Sequence, residues 1–177
     1  DGVAALMAGD YAAAQPAFNA VYGQVPGELA PKYALAVACE RGSQPATAEQ
    51  LYTICADTDA NYVTPAAFGL ARLRATRGDL DGALQALNLI PSTSRGYTES
   101  RRLRAQHLMA RGGGLPDLAL ALDAVSGAKL DPATYARYAA EILSRALDEV
   151  RASGPQPGVH LGGLSATEKS IRPQLEQ

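Results

Sequence analysis

Tryptophan is absent from these 177 residues, and phenylalanine, cysteine and histidine occur only twice each. Each scarcity excludes a class of chemistry. Cys39 and Cys55 are too few for the disulfide framework of a small secreted domain, and they lack the Cys-x-x-Cys spacing of a zinc or redox pair. His107 and His160 stand isolated, so neither suggests a general base. Gly112-Gly113-Gly114 lacks the Lys-Ser/Thr of a phosphate loop and reads as a helix-to-helix turn. No apolar run approaches the ~20 residues that cross a bilayer, and no signal peptide opens the chain. The expectation is a cytoplasmic, non-catalytic fragment with no cofactor, no metal and no membrane span.

Charge is also scarce. The net value of −2 gives no global attraction for nucleic acid. Its distribution is uneven, however. Residues 1–62 hold Asp1, Asp10, Glu28, Glu40, Glu49, Asp57 and Asp59 against Lys32 and Arg41, whereas residues 95–111 hold five arginines against Glu99 alone. That basic stretch has three readings: a solvated helix face, a docking surface for an acidic partner, or a nucleic-acid contact. The third is disfavoured because no aromatics are interleaved with the arginines.

What the sequence has in quantity is alanine and leucine, both cheap to hold in helices, and they recur. In GDYAAAQPAFNAVYGQVP (9–26) the pattern is Ala14, Phe18, Val21 and then Pro26. Ala48, Tyr52 and Cys55 repeat it 34 residues on, and Ala83, Leu87 and Ile90 a further 35 on. Residues 115–125 lie over 80–90 at the same offset of 35. This is the tetratricopeptide period of paired helices. Small residues let the two helices of a unit approach, and the large residue one turn later fills the gap to the next. Gly9-Asp10 and Gly78-Asp79 each close one helix and cap the next. A single pair cannot bury its apolar face, so the units must stack.

The first helices of the later units are predicted over 31–41, opening on Pro31, over 65–77, opening on Pro65, and over 97–111, with the last register uncertain by one residue. Pro16 is expected to kink its helix. Residues 132–152 form a long helix behind the cap Asp131, with a stripe of Tyr135, Ala139, Ile142, Leu143, Ala146 and Val150. Residues 155–164 are too rich in glycine and proline for helix. A short capping helix over 165–176 starts at Ser165 with Glu168 completing a capping box, and Pro173 bends its end. The fold class is therefore an all-α tetratricopeptide-repeat superhelix, with repeats at about 1–26, 27–61, 62–95 and 96–130, and a C-terminal extension and cap over 131–177. The helical pattern is already running at Asp1, so the chain reads as a fragment whose first helix is cut short.

First helices of such arrays line a concave groove. The register places Tyr33, Val37 and Glu40 there from the second unit, Phe68 and Arg72 from the third, and His107 and Arg111, or Arg102 and Gln106, from the fourth. Aromatic, apolar and arginine side chains together are the composition of a protein-binding patch. Relatives that clamp C-terminal carboxylates use Asn and Lys on first helices, where this chain has Val37 and Arg72.

The runs FNAVYGQVPGELAPKYALAVACE, YVTPAAFGLARLRATRGDLDGALQALNLIPSTSRGY and LDPATYARYAAEIL closely resemble the C-terminal region of the actinobacterial serine/threonine protein kinase G family. In that family a rubredoxin-like metal site and a kinase domain precede the repeats. The resemblance implies a cytosolic kinase involved in central carbon and nitrogen metabolism and, in pathogenic mycobacteria, in survival within host cells. It further implies that this region assists self-association, as in a dimer, and helps recruit a small forkhead-associated-domain substrate. No glycine-rich lid, His-Arg-Asp loop or Asp-Phe-Gly is present, so the ATP-binding and catalytic domain would lie upstream of Asp1, in cis. The alternative is a free-standing tetratricopeptide scaffold or adaptor.

Overall fold

The computed structural model describes residues 2–25 and 27–176. The expected helix around Asp1 and the role of Pro26 lie outside these. The chain divides into two compact units, residues 1–91 and 92–177. Helix predominates throughout, as the alanine and leucine content requires.

Among the described residues the first unit contains the helices α1 (Gly2–Met7), α2 (Tyr11–Gln24), α3 (Leu29–Arg41), α4 (Pro45–Thr58), α5 (Ala60–Thr76) and α6 (Leu80–Asn88). Each packs on its chain neighbours, and α3 also touches α5. The turns between partners share one device. Gly9 and Gly78 take left-handed φ values of 76° and 85°. Behind them the amides of Asp10 and Asp79 bond back to the carbonyls of Ala5 and Arg74, both at 2.9 Å. The same aspartates then cap α2 and α6 by accepting from Ala13 N–H at 3.0 Å and Gly82 N–H at 2.8 Å. The second pair makes this turn with Ser43, not a glycine, at the left-handed position (φ 61°) and the Gln44 amide bonded to Cys39 O at 2.8 Å, without a side-chain cap.

The repeat positions face inward. Ala14, Ala48 and Ala83 are fully buried, as are Tyr52 and Cys55. Both cysteines are free thiols whose pKa is pushed up by burial. Val21, equivalent to the buried Cys55 and Ile90, is 44% exposed, so that repeat position is not buried in the first pair. Gly69 shows why small residues are needed at the α4–α5 crossing: a Cβ there would lie 2.5 Å from the Tyr52 ring.

Helix α2 continues through Pro16, which sits on its exposed side, where solvent can take the carbonyl of Ala12 that loses its donor. One proline expectation is corrected. Helix α5 starts at Ala60 rather than Pro65. Asp59 caps it, accepting from Asn61 N–H at 2.8 Å, and Tyr62 packs on Tyr33 with ring centroids 5.8 Å apart, so the helix is held for a turn upstream of the proline.

The second unit contains α7 (Tyr97–Arg111), α8 (Gly114–Ser126), α9 (Pro132–Ser153), the strands β1 (Gln156–Leu161) and β2 (Leu164–Ala166), and α10 (Glu168–Leu175). Helix α8 packs against both α7 and α9. Asp131 caps α9 as expected, accepting from Thr134 N–H at 2.9 Å. The buried stripe of α9 differs from the predicted one: Tyr138 is 6% exposed and Tyr135 is 38% exposed. Residues 155–164 are not merely irregular. Gly162 and Gly163 both take positive φ, the requirement of a tight two-residue hairpin turn, and Leu161 pairs with Leu164. Buried Leu161 seats the hairpin, which packs on α8. Because Ser165 pairs with His160 in that hairpin, the last helix begins later than predicted. Thr167 is its cap, accepting from Ser170 N–H at 3.3 Å, and the helix passes through Pro173 to Leu175.

Candidate protein-binding faces

In the first unit the structure brings Tyr33, Val37 and Glu40 together along α3, with Phe68 and Arg72 on α5, the element that α3 touches. Tyr33, Val37 and Phe68 are half-buried. Their polar centre is a network. Glu40 accepts from Arg72 Nε at 2.8 Å and Nη2 at 3.0 Å, one guanidinium bond to each carboxylate oxygen, and from the Tyr52 hydroxyl at 2.6 Å. Burial by itself raises the Glu40 pKa, but the bonds from Arg72 and Tyr52 outweigh it and hold the carboxyl below its ordinary value. Tyr52 is driven far up, first by burial and then by its bond to Glu40, so its hydroxyl keeps the proton it donates. Tyr33 stacks at a tilt on Tyr52 and on Tyr62, with centroids 5.7 Å and 5.8 Å away. Beside this lies an open depression of about 820 Å³ reached by Glu40, Arg72, Glu49 and Arg77. There Glu49 pairs with Arg77 and, at 2.8 Å, with Arg74.

Sequence reasoning selected Tyr33, Glu40 and Arg72 but missed Tyr52 and Tyr62. The available signal was that Tyr52 fills the large repeat position and, alone among its equivalents, carries a polar end.

In the second unit the arginines of α7 are largely committed within the unit. Arg101 donates to the carbonyls of Ala124 and Asp123 at 3.2 Å each, binding the C-terminal end of α8. Arg111 pairs with the buried Asp117, which also accepts from Gly113 N–H at 2.9 Å, closing the α7–α8 turn. The Arg111 bonds hold Asp117 below its ordinary pKa. His107 is half-buried, and burial lowers its pKa, which favours the neutral imidazole. Arg102 donates to Glu99 at 2.7 Å and to the Tyr138 hydroxyl at 3.2 Å, and Gln106 donates to the same hydroxyl at 3.0 Å. A groove of about 440 Å³ opens here between α7 and α9. Of the predicted fourth-unit residues, it includes Arg102 and Gln106 but not His107 or Arg111. Arg137 and Tyr138 from α9 were missed, because a groove wall supplied by the next helix has no signature within 97–111.

Among the described residues no group of three or more His, Cys, Asp or Glu is placed to hold a metal, and no helix is long and apolar enough to cross a membrane. Helix pairs repeating at 34–35 residues, with small residues at their crossings, define a tetratricopeptide-type array, a class whose stacked units present binding surfaces. The profile of the Protein kinase G tetratricopeptide repeat family matches residues 1–177, and the chain belongs to that family. It is 41% identical over 108 residues to the serine/threonine-protein kinase PknG of Mycobacterium leprae, and 40% identical over 110 residues to that of Mycolicibacterium smegmatis. Each match covers 61% of this chain and 14% of the relative, so the chain spans a small part of these relatives' length.

Proposed function

We propose that this chain is a non-catalytic protein–protein interaction module serving a cytoplasmic serine/threonine protein kinase. Its role is regulatory: it recruits the substrate, a small forkhead-associated-domain protein, and assists self-association. The observation that carries this reading is the family match along the whole chain, joined to an array of helix pairs. The names of the two relatives supply the kinase. The division into repeats at about 1–26, 27–61, 62–95 and 96–130 with an extension over 131–177 is part of the proposal, supported by helix pairs that follow those spans, with α5 starting two residues before the third.

Two faces are proposed for binding. One is formed by Tyr33, Val37, Glu40, Phe68 and Arg72. The other lies along α7, with Arg102 toward the groove and His107 and Arg111 on the same helix. Tyrosine and arginine contribute apolar and polar contact together, and a basic surface steers acidic partners.

The test compares the parent kinase with and without this region on the forkhead-associated-domain substrate. The reading expects KM for that substrate to rise about tenfold or more with kcat retained, and phosphorylation of a short generic peptide to be unchanged. Unchanged KM for the protein substrate would refute recruitment, and unchanged sedimentation of the two kinase forms would refute self-association.

A further inference from the structure

The groove between α7 and α9 has a feature that the repeat pattern does not require. Tyr138 is almost fully buried, and its hydroxyl oxygen accepts two hydrogen bonds, from Arg102 and Gln106. A phenolic oxygen has two lone pairs and one proton. With both lone pairs engaged, the hydroxyl is left to donate, and among the described residues no carbonyl or carboxylate receives that proton. The charges around it are also unequal. Arg102, Arg137 and Arg145 line the groove. Arg102 is spent on Glu99 and Arg145 on Glu141 at 2.8 Å. Arg137 makes no ion pair among the described residues. Its guanidinium lies over the Tyr138 ring, 5.8 Å from the centroid, and the residue is exposed. Met109 and Ala110 add apolar lining. A cation without a counter-charge, an O–H without an acceptor and a short apolar wall therefore meet in one groove.

We propose that the α7–α9 groove binds an acidic peptide, seating one carboxylate between the Tyr138 hydroxyl and the Arg137 guanidinium. The proposal rests on the interaction-module reading and names the chemistry of one of its faces. A carboxylate oxygen takes the Tyr138 proton as a charge-assisted hydrogen bond and supplies the charge that Arg137 lacks. Tyr138 is held for this by its two donors and by its burial, so little side-chain freedom is lost on binding. Arg102 and Arg145, already neutralised, act as walls that shape the groove. The first-unit network offers no such place, because there the tyrosine proton and the arginine are both satisfied by Glu40.

The probe is a fluorescein-labelled, glutamate-rich octapeptide titrated with the full chain and followed by anisotropy at two salt concentrations. Its glutamine counterpart, a phosphothreonine peptide of the same length and a single-stranded oligonucleotide serve as comparisons. The expected result is saturable binding of the glutamate peptide that weakens with salt, and at least tenfold weaker binding of the glutamine peptide. Arg137→Gln, on the exposed side of α9, should weaken binding about tenfold with an unchanged thermal midpoint, the size of one lost charge-assisted contact. Tyr138→Phe should weaken it several-fold, and Arg172→Gln on α10 should leave it unchanged. No binding of the glutamate peptide at millimolar chain overturns the proposal, as does binding indifferent to Arg137→Gln. Preference for the phosphothreonine peptide or the oligonucleotide overturns the carboxylate assignment. The interaction-module reading fails separately: if the parent kinase keeps its KM for the protein substrate when the whole region is removed, that reading falls whatever the peptide does.

Discussion

The two units each join a buried tyrosine hydroxyl to an arginine, and they do it in opposite senses. In the first, Tyr52 donates to Glu40, which also takes two guanidinium bonds from Arg72. In the second, Tyr138 accepts from Arg102 and Gln106, and the carboxylate nearby, Glu99, bonds the arginine from its other side. The difference lies in where one carboxylate sits. On the tyrosine, it completes the network and makes both groups structural. Displaced by one position, it leaves a donor facing a groove. An arginine count along the chain cannot tell these cases apart.

Three substitutions sharpen that contrast. The largest effect is expected from Gly69→Ala, which attacks the seating of the Tyr52 ring. The new methyl would lie 2.5 Å from ring atoms with the crossing helices on either side. A loss of about 3 kcal/mol in urea unfolding is expected, with an altered near-ultraviolet tyrosine signal. A loss below about 0.5 kcal/mol would show that the α4–α5 crossing opens freely.

Glu40→Gln should follow at about 2 kcal/mol, less than a fully buried pair would cost because Arg72 is half-exposed. The same residue gives a pH dependence. Its folded-state pKa is depressed below the unfolded value near 4.5, so its stabilising contribution is present above that pH and is lost as pH falls through the folded pKa. The stability gap between wild type and Glu40→Gln should therefore narrow in acid, below about pH 4.5. A gap that stays constant from pH 7 to pH 3 would contradict the network. Tyr138→Phe is expected to cost only about 1 kcal/mol, since its hydroxyl serves two partners that solvent can reach through the groove. Should it cost as much as Glu40→Gln, Tyr138 would be a structural anchor like Tyr52 and the contrast between the units would collapse.

How much of this was legible in the sequence depends on the range of the cause. The Gly-Asp turns could be read because the left-handed residue and the capping carboxylate are adjacent and each acts within four residues. The equivalent turn at Ser43-Gln44 could not, because there the stacked backbone holds a serine at φ 61° that local preference disfavours. Pro65 was a sound local signal for a helix start, overridden by Asp59 and by the contact of Tyr62 with Tyr33 from another helix. The hairpin had its signal in Gly162-Gly163 between two leucines, but the pairing is stable only because α8 covers it. The groove residues divide in the same way. Tyr33, Glu40 and Arg72 follow from repeat register, whereas the bond from Tyr52 to Glu40 and the entry of Tyr138 in place of Tyr135 follow from the angle at which neighbouring helices meet.

The sequence by itself determined the helix pairs, their 34–35-residue spacing, the inward alanine and aromatic positions and the caps at Asp10, Asp79 and Asp131, since all of these depend on periodicity and on contacts within one turn. The tertiary structure alone decided which arginines are consumed by carboxylates and carbonyls, which tyrosine proton has no acceptor among the described residues, and where the chain abandons helix for a hairpin. The physical reason is that hydrogen bonds between side chains on different helices form within about 3 Å. That precision depends on how the helices cross, and nothing in residue spacing along a single helix encodes the crossing.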